Sequence, residues 1–169
     1  MVNDPHWRLP QVPTFTLESP DFDNDGPLPS SARQDGGNIS PELHWSGAPA
    51  ETKSFVLTVY DPDAPTGSGF WHWVLYDIPA AVTELPAGAG GGDFTGLPQG
   101  ALHARNDYGD KRFGGAAPPP GAPHRYVFTV HALDTDSLGL PDDTAPAVVG
   151  FNITSHTLAR AQIVPEYES

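Results

Sequence analysis

Hydrophobic positions in this chain come in short unbroken runs rather than in stripes. "SFVLTVY" (54–60), "FWHWVLYDI" (70–78) and "HRYVFTVHAL" (124–133) are rich in β-branched and aromatic residues and are flanked by turn formers. Runs of this length and content predict strands. Apolar character on both faces predicts a sheet covered on both sides. Weaker strands are expected at 14–17, 101–106 and 161–167. Helical spacing occurs once, in "APAVVGFNITSHTLARA" (145–161), where Val148, Phe151, Ser155 and Leu158 fall on one face. Asp142, Asp143 and Thr144 are the candidate caps for it. The expected class is mostly β, largely antiparallel, with one or two helices.

Composition sharpens this picture without redirecting it. The 20 prolines and 18 glycines among 169 residues favour turns and strands over long helices. The length suits one domain spanning 1–169 with a core that needs no staple. "AGAGGGDF" (87–94) reads as a flexible loop between strands, and "AAPPPGAP" (116–123) as a stiff, polyproline-like lead-in. There is no cysteine, which removes disulfides, thiolate nucleophiles and sulfur-ligated zinc. No apolar run approaches the roughly 18–20 residues of a membrane span. The first residues show neither a basic start nor an apolar core, so the expected location is the cytoplasm. The formal charge of −13 argues against nucleic-acid partners and anionic membranes.

Strand geometry then sorts the candidate chemistry, because alternate residues share a face. Asp61 ends the row of Phe55, Leu57 and Val59. His72 is expected to share a face with Val74, Tyr76 and Ile78, and His124 with Tyr126, Phe128 and Val130. Three polar groups thus lie at the ends of apolar faces and would line a pocket if those ends converge. From the residues alone, metal binding, acid–base catalysis and anion capture all stay open.

"DPDAPTGSGFWHW" (61–73), followed about 40 residues later by "FGGAAPPPGAPHRYVFTVHAL" (113–133), resembles the paired signature of the phosphatidylethanolamine-binding, or Raf-kinase-inhibitor-like, family. "NISPELHWSGAPAETKSF" (38–55) and "VGFNITSHTLARAQI" (149–163) resemble its bacterial branch, and the likeness runs over about 15–167. It implies a large antiparallel sheet packed on a smaller one, with helices at the flank. It also implies a small surface pocket for phosphate, phosphoryl head groups or carboxylates. The first motif would contribute Asp61, Asp63, Pro65 and His72 to that pocket. The second would contribute the 115–118 loop, through Gly115, Ala117 and Pro118, together with His124 and Tyr126. Neither a cofactor nor a metal is implied. The implied partners are a small anionic ligand and a kinase or protease under regulation, with a homodimer as the assembly.

These residue types suit that role. Imidazole, phenol and loop N–H groups can donate to an anion. Glycines Gly114 and Gly115 allow close backbone approach, and prolines stiffen the loop. Asp61 is expected to accept from an imidazole rather than meet the ligand. The bonds preceding Pro65 and Pro118 are candidates for cis geometry. A hydrolase using Asp61, His72 and His124 is the alternative, although no nucleophile stands in either motif except Ser68 in a glycine turn. No H-E-x-x-H or Walker pattern occurs.

Overall fold

A computed structural model describes residues 2–169. Its centre is a five-stranded antiparallel sheet of order β6-β4-β3-β8-β9. The strands are β3 (Ser54–Asp61), β4 (Phe70–Pro79), β6 (Leu102–His103), β8 (Val127–Leu133) and β9 (Thr157–Ile163). A three-stranded sheet pairs β1 (Thr16–Glu18), β2 (Leu43–Ser46) and β5 (Glu84–Leu85), and β7 (His124–Arg125) pairs with β10 (Glu166–Tyr167). The single α-helix among the described residues, α1, spans Pro146–Ile153.

Both faces of the large sheet are covered. On one, Phe55, Leu57, Val59, Trp73 and Phe128 pack against Leu17, Leu43, Trp45 and Leu85 of the small sheet. On the other, Val56, Val74, Tyr76 and Leu133 pack against Val149 and Ile153 of α1. The near-continuous burial of β3 and β8 is therefore what their unbroken apolar runs encode.

Five local expectations are corrected. The run at 124–133 is two strands, because Tyr126 separates β7 from β8 and the two belong to different sheets. The weak strand at 101–106 shrinks to two residues. The helix ends at Ile153, and residues 157–163 form β9, burying Ala159, Ala161 and Ile163 at period two against β8. That alternation coexists with the helical spacing in the same letters, and long-range pairing with β8 decides between them. The expected caps do other work. Asp142 and Asp143 pair with Lys111 and Arg105, Thr144 donates to the Pro141 carbonyl, and Ala145 starts the helix with Pro146 at its first position. Finally, every described peptide bond is trans, those before Pro65 and Pro118 included.

Strand β4 carries two irregularities that matter below. Val59 pairs with Trp73 but Tyr60 pairs with Trp71, so His72 has no partner on β3. Farther along, Phe55 pairs with Ile78 and Leu57 with Leu75, so Tyr76 and Asp77 together face Val56. Asp77 takes a left-handed φ of 56° there, and its carboxylate accepts from Ser137 and the Leu138 N–H. Each bulge resets the alternation of side chains. No helix among the described residues is long and apolar enough to cross a membrane.

Candidate functional site

A pocket of about 330 Å³ opens where β3 ends and β4 begins. Asp61, Phe70 and His72 come from that hairpin, with Pro65 and Thr66 from its turn. Ala117 and Pro118 form the opposite lip, and His124 and Tyr126 come from β7 and the residue after it. Of the nine residues expected from the sequence, seven line this cavity. Asp63 and Gly115 do not.

The bulge explains how His72 gets there. The straightforward period-two row with Val74, Tyr76 and Ile78 does not exist, since Val74 and Tyr76 face α1 while Ile78 faces the small sheet. The extra residue instead turns His72 to the side of Phe70 and Tyr126, whose ring centroids lie 4.9 and 5.2 Å from its own. Loop 106–114 holds the irregular stretch. The Gly114 N–H donates to the His72 carbonyl at 2.8 Å, and the Asp107 N–H donates to the Trp71 carbonyl at 2.9 Å.

Each imidazole is fixed by one hydrogen bond. His72 Nδ1 lies 2.7 Å from the Gly114 carbonyl oxygen. A carbonyl can only accept, so Nδ1 bears the hydrogen and Nε2 is left without a partner among the described residues. Burial pushes the His72 pKa down, outweighing the carbonyl of Gly114 and the charges of Asp61 and Asp107, which push it up. His124 Nδ1 donates to Asp61 Oδ2 at 2.7 Å, with both side chains nearly buried. The other Asp61 oxygen accepts the Asp63 N–H at 2.8 Å. Asp61 therefore orients a ring and ties down the turn, leaving His124 Nε2 free to face the cavity.

Tyr126 is 2% exposed, and its enclosed hydroxyl has no hydrogen-bond partner among the described residues. Burial, reinforced by Asp61, raises its pKa, so it remains a phenol at any ordinary pH. None of the lining residues is Lys or Arg.

The two absentees serve the frame. Asp63 makes a two-pronged ion pair with Arg125, Oδ2 to Nε at 2.9 Å and Oδ1 to Nη2 at 2.7 Å, and also accepts the Arg125 N–H. Those bonds hold its carboxyl below the usual range and lock the turn to β7. Gly115 approaches not a cavity but residues 32–34, where an added Cβ would fall 2.5 Å from the Gln34 nitrogen. The sequence reading missed Tyr108, which walls the pocket, stacks edge-on to Phe70 and donates to the Gly115 carbonyl at 2.9 Å. Its only sequence signal is an aromatic residue inside the polar turn "RNDYGD".

The family model for phosphatidylethanolamine-binding protein matches residues 18–168. The chain belongs to the phosphatidylethanolamine-binding protein family. Its relatives place it in the bacterial branch. It is 53% identical to the protein YbcL of Escherichia coli over 135 residues, which is 79% of this chain and 74% of YbcL. Over 129 residues it is 54% identical to YbhB of the same organism, covering 76% of this chain and 81% of YbhB. The crystal structure of E. coli YbcL, described as a new member of the mammalian family, superposes with a TM-score of 0.89 at 47% identity. That match covers 92% of this chain and 98% of the YbcL chain. A Plasmodium vivax phosphatidylethanolamine-binding protein, at 15% identity and a TM-score of 0.61, shares the fold. Among the described residues no group of three or more His, Cys, Asp or Glu side chains could hold a metal ion.

Proposed function

We propose that this family member is a non-catalytic binding protein whose pocket takes the oxyacid head of a small ligand: a phosphate, a phosphoryl head group or a carboxylate. A ligand-dependent hold on a protein partner, such as a kinase or protease, is the regulatory role that fits such a module. What carries the reading is that three residues lining one cavity, His72, His124 and Tyr126, each keep a polar group, Nε2, Nε2 and the hydroxyl, without a partner among the described residues. The Tyr126 hydroxyl is the buried one of the three, and a buried polar group left unpaired costs about 1–3 kcal/mol, so a site that keeps it is poised to bond something that arrives.

Two or three such bonds, each contributing about 1.5–3 kcal/mol when an ionised group takes part, must offset an association cost of at least about 4 kcal/mol. A bare phosphate is expected to bind in the millimolar range, and no tighter than about 0.2 mM. Calorimetric titration of wild type and His124→Ala with phosphate and phosphoethanolamine tests this. Saturable binding that the substitution weakens supports the pocket. Absence of heat and of chemical-shift change with both ligands sinks it.

The Asp61–His124 contact favours a second reading, since a carboxylate-oriented imidazole is also what activates water in a hydrolase. Turnover separates the two. The binding reading expects a phosphomonoester or carboxylic ester to be recovered unchanged after prolonged incubation, and product released by wild type but not His124→Ala would replace it.

A further inference from the structure

Resting on that binding reading, we infer that the head group this pocket selects carries its own acidic proton, as a hydrogen phosphate or phosphomonoester monoanion does, and that His72 is the residue that demands it.

The argument starts from the tautomer. The Gly114 carbonyl, 2.7 Å from His72 Nδ1, obliges that nitrogen to hold a hydrogen. In the neutral ring Nε2 is then a bare lone pair, and it borders the cavity. The ring becomes a donor at Nε2 only by taking up a second proton. Its surroundings resist that. His72 is 3% exposed and is walled by the rings of Phe70, Tyr108 and Tyr126, and burial outweighs the pull of Asp61 and Asp107.

A fully ionised oxyanion would set its own lone pairs against that nitrogen. A ligand O–H satisfies it. The charge of the site points the same way. No Lys or Arg borders the cavity, while the Asp61 carboxylate does, so a second negative charge on the ligand meets no fixed cation. Tyr126 supplies the complement. Its hydroxyl keeps its hydrogen and has no protein partner among the described residues, so a ligand that displaces the groups enclosing it receives a donor at an unprotonated oxygen while Nε2 accepts from the protonated one. The two residues that carry acceptor and donor line one cavity, which matches a group presenting O–H and O⁻ on the same central atom.

Methyl phosphate and methyl sulfate isolate the proton. At pH 6 about half of the methyl phosphate is a monoanion bearing one O–H. Methyl sulfate has the same charge and shape and no proton. Titrated into wild type at pH 6, and counted per protonated form, methyl phosphate is expected to bind about tenfold or more tighter. Nitrogen-15 spectra of the histidines supply a readout independent of any variant: His72 should be a neutral ring with its hydrogen on Nδ1 at pH 6. His72→Phe keeps a planar ring in the aromatic nest and should level the two affinities.

Equal or tighter binding of methyl sulfate overturns the inference while leaving an anion pocket in place. So does an imidazolium signal for His72. If neither ester binds, the pocket reading falls, and this inference with it.

Discussion

Gly115→Ala separates a fold role from a ligand role at a position where sequence reasoning favours the ligand. A Cβ built on Gly115 would lie 2.5 Å from the Gln34 nitrogen, 2.6 Å from the Arg33 carbonyl carbon and 2.7 Å from the Ala32 carbonyl oxygen. All three are backbone atoms, so no side chain can swing aside. Ordinary contact begins near 3.4 Å, which obliges the two segments to part by several tenths of an ångström. Their separation stretches the bonds that join them: the Ala116 N–H to the Ala32 carbonyl at 3.1 Å, and the Gln34 N–H to the Ala116 carbonyl at 2.9 Å. Two such bonds contribute about 2 kcal/mol, and overpacking adds about 1–2 kcal/mol. At about 2–4 °C per kcal/mol for a chain of this size, the melting temperature should fall by roughly 6–16 °C. The assay is thermal unfolding by circular dichroism, with phosphate titrated into the folded protein below its midpoint. A fall of less than about 2 °C, or loss of binding at unchanged stability, would refute the reasoning and return Gly115 to the ligand.

Other expectations follow from the same geometry. Arg125→Ala, which strips both side-chain bonds from the partly exposed Asp63, should cost about 1–2 kcal/mol at pH 7 by urea titration. Because Arg125 holds the Asp63 pKa down, that contribution is present above the ordinary carboxylate range, and it should vanish as pH falls through and below about 4. Equal penalties at pH 7 and pH 3.5 would contradict it. His6 and His103 are each lowered to about 4, chiefly by burial, and burial also lowers His131 well below the usual imidazole range. The unfolded chain takes up protons at these rings first, so stability should drop as pH falls from about 6.5 towards 4. A urea midpoint unchanged between pH 7 and pH 5 would count against this. Gly150→Ala places a methyl in open space inside α1, and should raise the melting temperature by about 1–4 °C; a decrease would show a contact the helix face lacks here.

Much of the architecture was legible because long buried strands have few alternatives. The runs holding β3, β4 and β8 could only be covered on both faces, and the two motifs that end them brought Asp61, His72 and His124 to one cavity. What escaped has definite causes. A bulge is a property of two paired strands, so nothing in "FWHWV" alone shows that His72 lacks a partner. The letters of 157–163 satisfy both periods, and only the neighbouring β8 chooses between them. Asp63 was separated from its role because Arg125 lies 62 residues away. Gly115 has the composition of a ligand loop and the contacts of a strand junction. Tyr108 was hidden by its polar neighbours, since a wall residue of a pocket needs no periodic pattern.

The extra residue at His72 makes the site a matter of counting. Deleting one residue from β4 between Trp71 and Trp73 would let the hairpin close as a regular ladder, at little cost to its own hydrogen bonds, and would leave no imidazole at the pocket floor. Lengthening the turn between Asp61 and Phe70 would alter the rim while leaving the count within β4 intact. Recognition can therefore diversify through the turn, whereas the strand holds its index fixed.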